Sequence, residues 1–467
     1  MLKTKIFFFL FLFAILSLSI GVFMEDITAA DFVVNSTTND NDIDDWMKSS
    51  STIKGDSLVF NVTGYDLNDT ITISKPINVK SNVNTQITFN KDKNMFNITA
   101  SEISFFGLTL EHNGKGSFDV RCSLIFGTDS AKILNINNVN FILNNDYLNA
   151  VSFNEWNGDI SNSNVIGKGS YNLGFLSDNW IGNVYASSFD MKKEISAGIG
   201  VFTNWVGSIF NCKFDFQDSE SFAVFVYKQW TGNFLDSNVS SLGISSYGIL
   251  AMNWLGNISN SQMSLNNNHS CGIASDYWIG NMQNTNISTK GLLTYGVWAE
   301  KWTGIVSSSN IYIEGYRSFG FYSNSSTYGL IINSVISAKN GIGIMISKNI
   351  KVQSTKAVSI RGQDNIYVFG PILQIMAAYK KSKTSRNYYI KVHNYGEEAS
   401  KTSYLTIKIG KYKKTVKFKA VKPGKYRIVK IVLGKKYSSK KHWKSAKVTY
   451  YKGNGKKTVT KALKFKF

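Results

Sequence analysis

Along residues 151–321 apolar side chains recur at short even spacings between Gly, Asn and Ser, and no window keeps a 3.6-residue period. The pattern predicts strands of a few residues joined by tight turns. A longer period rides on it: Trp-x-Gly recurs seven times, at Trp156, Trp180, Trp205, Trp230, Trp254, Trp278 and Trp302, spaced 24, 25, 25, 24, 24 and 24 residues apart. Two residues after each Gly stands an apolar side chain: Ile160, Val184, Ile209, Phe234, Ile258, Met282 or Val306. Seven after each Trp stands a small one: Ser163, Ser187, Cys212, Ser237, Ser261, Thr285 or Ser309. Nine after it the chain is apolar again, and a Gly, or once Val224, precedes most of the tryptophans by six or seven residues. One small unit is being stacked, each copy burying its apolar face on the next.

The missing helical period sets aside leucine-rich, ankyrin and tetratricopeptide repeats. A propeller blade needs four strands and about 40 residues, so the unit is too short unless two units share one blade. A right-handed parallel β-helix, with three short strands and three turns per coil, fits the count. The expected fold is all-β: about 13 coils over residues 55–375, a rod of about 60 Å at about 4.8 Å per coil, then a small β-sandwich over 384–467. The small-residue row would form an internal or corner ladder. Asn179, Asn204 and Asn253 would form an amide ladder at a turn, interrupted by Gln229, Tyr277 and Lys301.

The ends of the chain differ from its middle. Lys3 and Lys5 precede an apolar run over 6–23, with small residues before Asp31, the pattern of a cleaved secretory signal over 1–30. An uncleaved anchor is the alternative reading. Residues 31–54 are polar and read as a cap or lead-in. Earlier coils are expected from strands at 57–62, 70–73, 77–79, 86–89, 103–110 and 131–141, and 371–383 reads as a junction. From Lys380 onward there are 28 Lys and Arg against two acids, Glu397 and Glu398, whereas the rest of the chain is mildly acidic. Such a basic unit suits an anionic cell-wall polymer or glycan. Nucleic acid is the weaker alternative in an exported chain, and lysines that merely guard sheet edges are the bland one.

Candidate chemistry is sparse. Cys122, Cys212 and Cys271 are too scattered for a disulfide framework, and His112, His269, His393 and His442 form no ligand set, so neither a metal nor another cofactor is implied. A glycan-cleaving site on a β-helix needs carboxylates at one phase in neighbouring coils. Asp178 and Asp276 share a phase but stand four coils apart, about 19 Å. Asp276, Glu300 and Lys301 form the densest charged cluster so found, with an ordinary solvated face as the competing reading. The seven tryptophans would stack on sugar rings if they pointed outward, and would be a core ladder if they pointed inward. Sequons at Asn35, Asn61, Asn68, Asn97, Asn238, Asn257, Asn268, Asn286 and Asn324 suit a glycosylated surface protein.

The lysine-tipped signal, the coil segment Ile71-Thr72-Ile73-Ser74-Lys75-Pro76-Ile77-Asn78-Val79 and the turn Lys422-Pro423-Gly424-Lys425-Tyr426 together resemble the large adhesin-like surface proteins of methanogenic archaea. That resemblance implies a pectate-lyase-like β-helix, an immunoglobulin-like C-terminal domain, a secreted or cell-surface location and a binding role with no catalytic residues. The resulting expectation is a non-catalytic adhesin that binds cell-surface or environmental glycans, with a polysaccharide lyase or glycoside hydrolase as the alternative.

Overall fold

The computed structural model describes residues 30–462, except 50–51, 128–132, 327, 348, 360–365, 369–370, 372, 381–385, 396–397, 410–411, 433, 435–443 and 453–454. The expected signal lies outside the described residues. Among those described, no helix is long and apolar enough to cross a membrane.

The repeat folds as a right-handed parallel β-helix of about 13 turns. One coil consists of a long strand, Leu173–Ile181, a two-residue strand, Val184–Tyr185, and a four-residue strand, Ser188–Met191. The next coil lays Ala197–Val206, Ile209–Phe210 and Lys213–Phe216 on these, in parallel and like over like: Trp180 on Trp205, Val184 on Ile209, Phe189 on Phe214. The long and two-residue strands join a 26-stranded sheet, and the third strands build a separate 13-stranded sheet. Alternate residues of this second sheet point into the core, so Phe189 and Met191 are buried while Ser188 and Asp190 face outward.

Two corners of each Trp-x-Gly coil require left-handed backbone. Asn162, Ala186, Asn211, Asp236, Asn260, Asn284 and Ser308 hold φ between 45° and 53° just before the small-residue row. Asn and Asp tolerate this region best, which accounts for much of the polar punctuation seen in the sequence. The same chemistry divides the early strands: Gly107, at φ 66°, separates Glu102–Phe106 from Thr109–His112, and Asn138, at φ 55°, separates Ile133–Asn137 from Asn140–Leu143. Each had read as one strand.

The Trp-x-Gly module has a steric cause. From Trp180 to Trp302 each indole Nε1 donates to the carbonyl of the module glycine one coil earlier, as from Trp205 to Gly182 at 2.9 Å and from Trp230 to Gly207 at 2.8 Å, and Trp156, the first of the row, donates to the Leu134 carbonyl at 2.9 Å. A Cβ on Gly232 would stand 1.7 Å from the Gly207 oxygen, so only glycine lets successive coils close to hydrogen-bonding distance. The glycine row before the tryptophans is similarly tight, since a Cβ on Gly174 would meet the Phe189 ring at 3.0 Å across the core. Register corrects one position in that row: Ile199, Val224 and Ile249 pair, so Ala223, and not Val224, replaces the glycine.

Residues 31–48 form a strand, Asp31–Val34, paired to Ser57–Phe60, and a helix, Asp40–Lys48. Asn39 caps the helix in a reciprocal box with Asp42. Ile43 and Met47 enter the core, and Trp46 stacks on Phe32 with ring centres 5.1 Å apart. The open apolar end of the stack is thereby closed.

After the β-helix the chain forms two antiparallel sheets. Leu373–Lys380, Asn387–Asn394 and Tyr426–Val432 make a three-stranded sheet. Tyr412–Phe418, Ser403–Ile409, Lys444–Lys452 and Gly455–Ala462 make a four-stranded one in that order. The first of these strands occupies the stretch read as a junction. Leu373, Ile390, Val392, Leu405, Ile407, Val429 and Val448 share a core separate from that of the β-helix.

Candidate functional site

The tryptophan row faces inward. Trp156 through Trp302 are at most 2% exposed, and successive rings from Trp156 to Trp278 stack with centres 4.5–5.0 Å apart and planes within 10°. The last pair, Trp278 and Trp302, tilts to 39° where the module ends. Sugar cannot reach these faces. The proposed glycan-stacking row of Trp156, Trp180, Trp205, Trp230, Trp254, Trp278 and Trp302 is therefore corrected: it is a core ladder, fixed by packing and by the indole-to-glycine bonds.

The small-residue row is also internal. Each hydroxyl donates to the carbonyl two residues back, as Ser237 to Leu235 at 2.7 Å, and Ser163, Ser187, Ser237, Ser261 and Ser309 accept a backbone N–H of the preceding coil, as Ser261 does from Ser237 at 3.2 Å. Cys212 occupies this row with its thiol pushed up to about 12 by burial, so it is a packing residue and not a nucleophile. A further ladder, three residues after the tryptophans, binds coil to coil: Asn233 Oδ1 accepts from Asn257 N at 2.9 Å, and Asn257 Oδ1 from Asn281 N at 2.8 Å. The Trp-x-Gly-Asn tetrapeptide at 230–233, 254–257 and 278–281 was its signal. Asn179, Asn204 and Asn253 lie on the strand beside the tryptophans, where Asn204 donates to Asn179 at 3.3 Å and Asn253 to the Lys228 carbonyl.

Asp276 and Glu300 fall in register on adjacent strands, between the pairs Ser275–Ala299 and Tyr277–Lys301. Asp276 and Lys301 are exposed. Glu300 accepts from Asn324 Nδ2 at 2.9 Å. Neither groove described below contains any of the three.

The outer face of the second sheet brings other groups together. A groove of about 480 Å³ crosses its strands between Thr109 and Asp215. Its middle row runs Ile142, Ile166, Asp190, Asp215, all half-buried, and then Ser240. Beside it runs a hydrogen-bonded polar row in which Asn164 donates to Asn140 at 2.8 Å and Ser188 to Asn164 at 2.5 Å. The floor thus joins a short apolar platform to two carboxylates on neighbouring strands. Lys192 Nζ holds Asp190 Oδ2 at 2.6 Å, while the other oxygen, Oδ1, is sheltered from water with no hydrogen-bond partner. Asp215 Oδ1 accepts from Ser240 Oγ at 2.8 Å, and exposed Lys213 lines the same groove. Two like charges one strand spacing apart, about 4.8 Å between backbones, oppose folding. A sheltered carboxylate oxygen without a partner is a further cost. Packing does not call for either.

A second groove, of about 550 Å³, lies over Gly232, Gly256, Gly280 and Gly304 and contains no titratable group. Of the two, the carboxylate groove is the one that carries titratable groups. Asp190 and Asp215 escaped the sequence reading although each stands ten residues after its tryptophan, Trp180 or Trp205; the row one residue nearer was followed and this one was not.

No protein-family model matches the chain, and no curated protein matches it. Among solved structures it is similar to a mutant tailspike protein of E. coli bacteriophage HK620 (9% identity, 92% of this chain and 89% of that one, TM-score 0.36). It is also similar to an α-1,3-glucanase catalytic domain in complex with nigerose (10%, 74% and 69%, TM-score 0.37). A third is the A-module of an Azotobacter vinelandii mannuronan C-5 epimerase (10%, 70% and 91%, TM-score 0.32). At these identities the likeness concerns the fold alone. Of the resemblance drawn from composition, the right-handed parallel β-helix stands, and the archaeal adhesin and immunoglobulin-like parts are not shown. The expectation of a non-catalytic adhesin is corrected. The aromatic row that was to bind glycans is buried, so the observation on which that reading rested is gone.

Proposed function

We propose that the chain is a polysaccharide-cleaving enzyme whose site is the groove on the second sheet, with Asp190 and Asp215 as its carboxylate pair. The observation that carries this reading is the in-register pair itself, one member held by Lys192 and the other by Ser240. Glycoside hydrolysis needs one carboxyl group to protonate the leaving oxygen and a second to act as base or nucleophile. Carboxylates on adjacent strands, about 4.8 Å apart at the backbone, approach the separation of about 5–5.5 Å at which the second attacks the sugar directly and configuration is retained. Ile142 and Ile166 offer an apolar bed for a sugar face, and the Asn140–Asn164–Ser188 row offers donors and acceptors for its hydroxyls.

The test is release of reducing ends from a panel of neutral and acidic polysaccharides by the full chain, followed by the same assay on Asp190→Asn and Asp215→Asn. Loss of activity in both, with unchanged circular dichroism, supports the reading. Activity that survives both substitutions, or no cleavage across the panel, sinks it.

A further inference from the structure

The four-stranded antiparallel sheet near the C-terminus has an outward face unlike any other in the molecule. On Ser403–Ile409 the residues alternate, with Ser403, Leu405 and Ile407 buried and Tyr404 and Lys408 exposed. Register then assembles the outer face: Lys413 lies opposite Lys408, Lys417 opposite Tyr404, and Lys447 opposite Thr406. Hydroxyls fill the space between the lysines, with Thr406 and Thr415 bonded to each other at 2.8 Å. No acidic residue lies on these four strands.

Structural reasons do not account for the face. Lysine on a sheet edge keeps strands of other molecules from pairing. Lys408 and Lys447, however, stand on the two central strands, where there is no free edge to guard. Like charges directly opposite one another destabilise a sheet, and Lys408 and Lys413 are such a pair. Among the described residues no ion pair involves Lys408, Lys413, Lys417 or Lys447, whereas the β-helix pairs its lysines with acids, as Lys192 with Asp190 and Lys339 with Glu314. A flat, hydroxyl-dressed cationic face of this kind is complementary to a flexible polyanion that carries hydroxyl groups of its own. Arginine, the side chain suited to bidentate phosphate contacts, is missing from the face, which favours carboxylated glycan over nucleic acid.

We propose that this sheet face is a docking surface for an anionic polysaccharide, distinct from the carboxylate groove and independent of any activity there. It would hold the chain on an acidic polymer through diffuse, salt-sensitive contacts.

The experiment uses the full chain and fluorescently labelled polygalacturonate, with binding read by anisotropy from 25 to 300 mM NaCl, values set by the Debye length of about 10 Å at 0.1 M. Neutral dextran, duplex DNA and phosphatidylserine vesicles are run in parallel. The expected result is binding to polygalacturonate that weakens steeply with salt. The triple variant Lys408→Gln, Lys413→Gln, Lys447→Gln should weaken it at least about tenfold and flatten the salt dependence, each lost contact contributing on the scale of a surface ion pair. The corresponding triple Lys→Arg variant should retain binding, which separates loss of charge from loss of folding. The triple Gln variant should weaken binding to the same degree in an Asp190→Asn background as in the parent, so failure of the groove reading leaves this one standing. Unchanged binding in the Gln variant, no binding to polygalacturonate, or tighter binding to DNA or vesicles would overturn the proposal.

Discussion

Two rows of the same repeat, one at the tryptophans and one ten residues later, obey opposite rules. The tryptophan row is filled seven times by the same residue, is buried, and gives every indole after the first the same glycine partner. The later row reads Ile166, Asp190, Asp215, Ser240, Ser264, Ser288, Tyr312, faces outward, and changes character from coil to coil. In a solenoid, identity between coils reports what packing demands. A local departure on an open face reports what packing leaves to be decided otherwise. Here that departure consists of two carboxylates in a groove.

The comparison breaks most sharply at the carboxylates. Asp190→Asn and Asp215→Asn should each lower the rate of glycan cleavage by about 10²–10⁴-fold while leaving the melting temperature within a few degrees, because the row is peripheral to the core. Steady-state kinetics beside a thermal melt reads both quantities. The converse holds for the tryptophans. Trp230→Ala removes a ring stacked on both sides and should cost about 3–5 kcal/mol by denaturant unfolding. Trp302→Ala, at the tilted end of the stack, should cost less. A smaller effect is expected at the hydroxyl ladder. Ser261→Ala strips the buried Ser237 N–H of its acceptor and should cost about 1–3 kcal/mol, whereas Ser264→Ala, on the outer row, should be near neutral.

The mildest test is pH. His112 is fully buried, with Nε2 on the Lys93 carbonyl, and burial holds it below the ordinary imidazole range. The folded state therefore keeps the ring neutral, while the unfolded chain takes up a proton below the ordinary value. Stability is fully present above about pH 6.5 and declines as pH falls from there toward the lowered native value. Melting temperatures from pH 7.5 to 4.5 should show this fall, and His112→Phe should blunt it.

Much of the fold was legible because a solenoid writes its core at a fixed phase. Period, coil count and strand type followed from Trp-x-Gly and the alternation around it. The direction of the tryptophans did not. Parity counting along a strand fails here, since Phe153 and Trp156 are both buried although three residues apart, and register shifts between Ser177 and Asn179 in the next coil. The carboxylate pair was hidden for a different reason. Asp190 and Asp215 belong to a row with no repeating residue type, and only the stacked register shows that they are neighbours. Residues 31–54 read only as a cap or lead-in, and their polar composition masked the helix, though Asn39 and Asp42 carry its capping box.

That helix also limits assembly. Parallel strands stacked in register at about 4.8 Å are the geometry of a growing fibril, in which each layer templates the next. Asp31–Val34 is the first layer here, and the helix Asp40–Lys48 seals the apolar cross-section beside it with Ile43 and Met47. At this end, a molecule built on an endlessly repeatable plan is closed by nine residues that do not repeat.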